Sequence, residues 1–443
     1  MGRTFRSNLS QPRTTGARCT PVMEFCSVGA SSGMAGIGGY LRMRHDLPSL
    51  GWTAMSNNPD ESPFPGMPFF GDLAKQLSSQ GPLQWDVARQ VALMTATEGT
   101  NSEANVDPAS RVAIERLLPI ADQRVRDFTG LATAPLGAPP KIEVVNRSMW
   151  THHTIAAYRP MFTDLAQSLT SSSTEASDPD PMAQMMSSIN KMMGPAMMGM
   201  SVGTMIGQLA LRAFGQYDLP LPRESQNQLL IVAPNIEKFA SDWSITADDM
   251  RMWVLISELT SHAVLTVPHV RDTIAAAIRH YIAGFSPNPN ALMERLTNMD
   301  LGDSDPMAMM NKFFTDPSII LGAVRSPMQE NLAPSLDAMV AAIIGYVDHA
   351  VDTISTSVLG SGTQIAEAVR RRRVEASPSD SFVEQLLGLH LTQGQVERGN
   401  TFVEGVVERA GNDGLGQLFA RSGNLPTPSE LDAPGLWLAR IAL

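Results

Sequence analysis

The sequence predicts a mainly α-helical, multi-helix protein with one small β element just ahead of its central helix, and three observations carry that prediction. Apolar residues recur at i, i+3, i+4 spacing through most of the chain. The Pro, Gly and Ser clusters that punctuate those runs suit helix-to-helix connections. One run alone, Leu229-Leu230-Ile231-Val232, is short, apolar and bounded by polar residues and Pro234, the signature of a buried strand.

The elements follow in order. Trp85 to Met94 carries Val87, Val91, Leu93 and Met94 beside Arg89, and Val112 to Phe128 repeats the period with Ile114, Leu117, Leu118, Ile120 and Val125. A turn-rich stretch over 132–140 precedes a helix containing Asn146 to Trp150, and a polar stretch over 166–190, rich in Ser, Thr, Asp and Pro, reads as a linker. The next helix is crowded with methionine, including Met182, Met192, Met198 and Met205, which suits irregular helix interfaces better than a thioether metal site without Cys or His. Gly199, Gly203 and Gly207 bare one face of it, so another backbone can come close; residues 192–211 carry no charge, yet Pro195, four glycines and Gln208 favour a buried helix over a membrane span. After the strand comes a brief helix over Ile236 to Trp243, and then Thr246 offers an N-cap, with Asp248 and Asp249 complementing the dipole, for a central helix over 246–266. Beyond it helices continue from Leu336 to Leu359 and past Arg370-Arg371-Arg372-Arg373, a run that suits a solvated face or pairing with carboxylates.

Composition narrows function. Of 443 residues 43% are hydrophobic and 17% charged, enough for a sizeable core, and the net charge of -11 argues against nucleic-acid partners and anionic membranes, both of which reward basic clusters. That charge is uneven. Residues 1–54 hold six Arg and only Glu24 and Asp46 as acids, a balance of +4, leaving -15 on the remainder. Both cysteines, Cys19 and Cys26, also lie there, so the rest is thiol-free, which suits a reducing cytoplasm. The 1–54 stretch reads as a disordered tail, an organelle-type targeting peptide or sequence upstream of the true start; the polar segment that follows Met55 favours the last. Residues 55–165 form the expected N-terminal helical region.

The central helix reads Ser257-Glu258-Leu259-Thr260-Ser261-His262 at its core. Together with Gly215 to Pro222, Pro234-Asn235-Ile236, Gly345 to His349 and the four arginines, it resembles an actinobacterial zincin-like family, known as zinc-dependent metalloproteases or deazaflavin-coenzyme biosynthesis-associated proteins. The resemblance runs from about Phe70 onward, and it implies a zincin-like helical region over 191–443. In that family the same stretch reads His-Glu-Leu-Thr-His-His.

Zinc peptidases need two imidazoles at i and i+4, on one helix face, with the Glu between them acting as general base on a metal-bound water. Both ligand positions are here serine, Ser257 and Ser261, and the position that the resemblance gives to a third, carboxylate ligand is Ile344. Neutral hydroxyls bind zinc poorly and a purely hydrocarbon side chain not at all. Glu258 is then a vestigial general base, no resident cofactor is expected, and the leading expectation is a noncatalytic module for an unknown protein or peptide ligand, with no stable membrane insertion. The alternative is an active hydrolase whose ligands have moved to Glu258, His262, Asp348 and His349. Against it, one step along a helix turns a side chain by about 100°, so His262 does not simply replace an imidazole at 261.

Overall fold

A computed structural model describes residues 81–442, except 101, 135–138, 172–180, 224–227, 286–325 and 375–391; side chains are not described at 170, 171, 181–193, 373 and 374. The expected leader at 1–54 and the start at Met55 lie outside the described residues. The elements are α1 (Trp85–Ala96), α2 (Pro108–Thr129), β1 (Lys141–Val145), α3 (Arg147–Ser171), α4 (Pro181–Arg212), β2 (Gln228–Val232), α5 (Ala233–Asp242), α6 (Ala247–Leu265), α7 (Pro268–Ala283), α8 (Pro327–Val358), α9 (Gly362–Val374), α10 (Gln393–Gly416), α11 (Pro428–Leu431) and α12 (Pro434–Ile441). The mainly helical expectation holds. Of the stretch expected as a linker over 166–190, residues 166–171 end α3 and 181–190 open α4, and 172–180 are outside the described residues.

Strand β1 is the element that local pattern failed to announce. It runs parallel to β2, Lys141 opposite Gln228 through Val145 opposite Val232, and on the other side of β2 Gly215 makes an antiparallel bridge to Ile231. Parallel strands need a long crossover, and here α3 and α4 supply it.

Helix α4 lies along α1 on its glycine face. A Cβ at Gly199 would sit 2.5 Å from the Gln84 carbonyl oxygen and one at Gly203 2.5 Å from that of Ala88, so only glycine permits the approach. The opposing face of α1 is Ala88, Ala92 and Ala96, all fully buried. Small residues on both helices thus bring two backbones together inside the protein, and Met198 and Met205 fill space beside the seam.

Helix α6 is the central post. Thr246 caps it, accepting from the Asp249 N–H, with Asp248 and Asp249 in the first turn as the sequence anticipates. Its two ends and flanks pack on α2, α5 and α8, and most of its side chains, from Met250 to Leu265, are buried. That burial leaves room for function only where a groove reaches it. Among the described residues one helix, α8, is long and apolar enough to cross a membrane, and 67% of its most apolar window is buried against the rest of the chain.

Candidate functional site

A groove does reach α6. It is a cleft of about 570 Å³, bounded by α6, the 212–220 segment, α8, α9 and the start of α10. Ser257, Glu258 and Ser261 line it from α6, and Ile344 and Asp348 line it from α8. The structure therefore brings together both serines, the glutamate and the isoleucine that the motif comparison singles out, on facing helices. Trp253, Val254, Ile343 and Val347 make much of the surrounding wall apolar.

Glu258 is buried, and its carboxylate is already engaged. Oε2 accepts the Tyr217 backbone N–H at 2.9 Å, and the Gln216 backbone also favours the ionised form. Burial outweighs both, raising the carboxyl to about 8. A Cβ at residue 215 would collide with this carboxyl group, so Gly215 is required for the 214–218 segment to lie across it. The same segment is fixed elsewhere: Trp150 Nε1 donates to the Gly215 carbonyl at 2.7 Å, and the Val232 N–H donates to the Phe214 carbonyl at 2.8 Å. Glu258 is thus one of several anchors for a strap that crosses the motif helix.

His262 faces away from the cleft. It is 2% exposed, and its Nδ1 lies 2.9 Å from the Tyr217 hydroxyl. Burial lowers the imidazole to about 4 and pushes the phenol well above its ordinary value, so both are neutral and they share one hydrogen bond between the hydroxyl and Nδ1. Tyr217 accordingly joins Glu258 to His262 without either reaching the other. His349 is also apart: its Nε2 is 3.0 Å from Asn412 Oδ1 and its ring packs near Phe128. Of the four residues considered as relocated ligands, Glu258 and Asp348 line the cleft while His262 and His349 do not. Among the described residues no three His, Cys, Asp or Glu side chains are grouped so as to hold a metal ion.

Three residues of the site escaped the motif comparison. Tyr217 and Gly215 sit in the Gly215 to Pro222 stretch, legible as a resemblance but without an assigned role. Arg372, from the arginine run, lies 3.9 Å above the Phe214 ring, donates to the Arg212 carbonyl at the end of α4, and approaches Asp218. Its neighbours Arg370 and Arg371 pair with Asp352 and Glu367, so the run is mostly paired with the protein's own acids. Elsewhere His153 lies 3.5 Å from Glu143, and His152 is exposed.

The profile of the zincin-like metallopeptidases matches residues 83–438, nearly the whole described chain. The chain belongs to that family. In fold it is similar to a solved "putative hydrolase with a novel fold" from Chloroflexus aurantiacus, at 20% identity and a TM-score of 0.53, over 81% of this chain and 99% of that one. No curated protein matches.

Family membership implies zinc, and the cleft can be tested for it. The donors at the helix positions are two neutral hydroxyls, Ser257 and Ser261; the facing position, Ile344, has no donor atom; and the Glu258 carboxylate is turned to the strap's backbone. Zinc is held by thiolate, imidazole and carboxylate, so this set does not fit it.

Proposed function

We propose that this zincin-family protein has lost zinc binding and hydrolysis, and that it uses the old cleft to bind a protein or peptide as a noncatalytic or regulatory module in the cytoplasm. The observation that carries the proposal is that Ser257, Ser261 and Ile344, the positions that the resemblance gives to three zinc donors, line facing walls of one cleft. With no metal to acidify a water, Glu258 has no proton to take in the family's manner, and its hydrogen bond to Tyr217 gives it a structural task instead. The cleft's volume lies within the roughly 300–1,000 Å³ of ligand pockets, and its mixture of apolar wall and convergent polar groups is of the kind that binds rather than merely packs. A thiol-free chain outside 1–54 supports the reducing compartment, and the net charge of -11 supports a partner other than nucleic acid. The rival reading, relocated ligands, loses support from the separation of His262 and His349 from the cleft.

Metal analysis of protein purified without chelators tests the first half. The expected content is well under one zinc per chain. Stoichiometric zinc that disappears in Glu258→Gln or His262→Ala would sink the proposal and promote the rival. The triple variant Ser257→His, Ser261→His, Ile344→Glu should gain zinc in titration calorimetry while its circular dichroism is unchanged. A folded triple variant that binds none would mean that these positions are not the family's ligand positions.

A further inference from the structure

Among the described residues strand β1 is paired on one side only. β2 occupies that side, while the backbone of 141–145 makes no hydrogen bond to any described residue on the other. A free edge of this kind displays N–H and C=O groups at the spacing of a further strand. Beside it runs a groove of about 590 Å³, walled by β1 itself, by Arg111 and Glu115 of α2, and by Met149, which is 44% exposed. The groove is on the opposite margin of the sheet from the Gly215 bridge, and it shares no lining residue with the cleft.

The charges of the groove are self-complementary. Arg111 and Lys141 balance Glu115 and Glu143, within a chain that otherwise repels its own copies at a net charge of -11. Lys141 and Glu143 are two apart on the strand and so share a face. In an antiparallel pair of two β1 strands centred on Ile142, each Lys141 lies directly across from the other copy's Glu143, and Ile142 lies across from itself. A two-fold axis demands that kind of reciprocity, and opposite charges directly across a strand pair favour it.

We infer that β1 is a homodimerisation edge: a second copy of this chain pairs its β1 antiparallel to the first about Ile142, joining the two small sheets into one of four strands. This stands independently of what occupies the cleft. Pro139 and Pro140 have no N–H to donate, so the ladder ends at Lys141. The eleven groove residues are fewer than the roughly 20–30 per side of a standard interface, which makes the dimer concentration-dependent.

Sedimentation velocity of the full chain over a series of concentrations should show a monomer–dimer equilibrium. Lys141→Glu should sediment as a monomer where the wild type is dimeric, because like charges then meet across the pair. The double change Lys141→Glu with Glu143→Lys restores the opposite-charge pairing and should restore the dimer. Since Glu143 also neighbours His153, a second route avoids any change of charge. Ile142→Cys, in a Cys19→Ser, Cys26→Ser background, should form a covalent dimer in oxidised glutathione, as paired Cα atoms about 4.5–5.5 Å apart fall within disulfide reach. A wild type that is monomeric at every soluble concentration overturns the inference, as does a dimer that ignores Lys141→Glu. Ile142→Cys chains that stay uncrosslinked while still dimeric overturn the proposed centre.

Discussion

The α1–α4 seam and the α6–α8 cleft are both places where helices face each other, and they differ in what they tolerate. In the seam the contact is backbone to backbone, so the smallest added atom has nowhere to go: a Cβ at Gly203 meets the Ala88 carbonyl at 2.5 Å. In the cleft the facing side chains are separated by open volume, and both serines are half-buried. Those two serines can change without disturbing the scaffold. Architecture and cleft chemistry thus depend on different contacts.

The largest effect that would break this contrast lies in the seam. Gly203→Val should destabilise the protein by about 3 kcal/mol or more, read as a fall in the urea midpoint, since the neighbour is rigid backbone rather than a flexible side chain. A loss near zero would mean that α4 can slide along α1.

Next in size is the pH response of the strap. The carboxyl of Glu258 stands at about 8 when folded, above its ordinary 4.5, so its contribution to stability is full below about 4.5 and is lost as pH rises toward 8. His262 works the other way: its folded value of about 4 lies below the ordinary 6.5, so its contribution is present above 6.5 and lost as pH falls toward 4. The two oppose one another between about 4.5 and 6.5, and only Glu258 acts from there to 8. Wild-type stability should thus drop by on the order of 1–2 kcal/mol between pH 6.5 and 8. Glu258→Gln, which keeps the acceptor oxygen and cannot ionise, should flatten that slope in the same denaturation series. An unaltered slope would place its origin at another group.

Arg372 ties the strap to α9 and to the end of α4. Its replacement by Ala should destabilise by about 1–2 kcal/mol through the lost stacking on Phe214 and the lost hydrogen bond to the Arg212 carbonyl, measured as a lower thermal midpoint. The smallest effect belongs to the cleft. Ser257→Ala and Ser261→Ala should each shift stability by no more than about 0.5 kcal/mol in the urea series, since half-buried polar side chains beside open volume have little to lose. A large loss at either serine would show that it has become structural, and would erase the difference between cleft and seam.

Most of the helices were legible because their apolar residues repeat at 3.6, and the cap at Thr246 closes the first turn of α6 locally. Strand β2 was legible as a dense apolar run. Strand β1, Lys141-Ile142-Glu143-Val144-Val145, was not, since five residues hold too few periods and its partner is remote in sequence. The cleft was legible through Ser257, Glu258 and Ser261, which the i, i+4 rule places on one turn. Tyr217 was not, because its tie to both Glu258 and His262 exists only after the strap folds over α6.

The sequence alone determined which atoms are present. Ser257, Ser261 and Ile344 contain no imidazole or carboxylate under any fold, and the glycines at 199, 203 and 207 contain no Cβ, so the absence of those groups and the bare helix face are covalent facts. Tertiary structure alone decided which of those atoms meet. Glu258 and His262 look equivalent on a helix ladder, four residues apart; yet the packing of α6 opens Glu258 to the cleft and seals His262 against Tyr217, and β1 finds a strand partner on one side only among the described residues. Periodicity fixes a side chain's direction relative to its own helix axis, but the axis itself is oriented by long-range burial against helices and strands that local sequence does not encode.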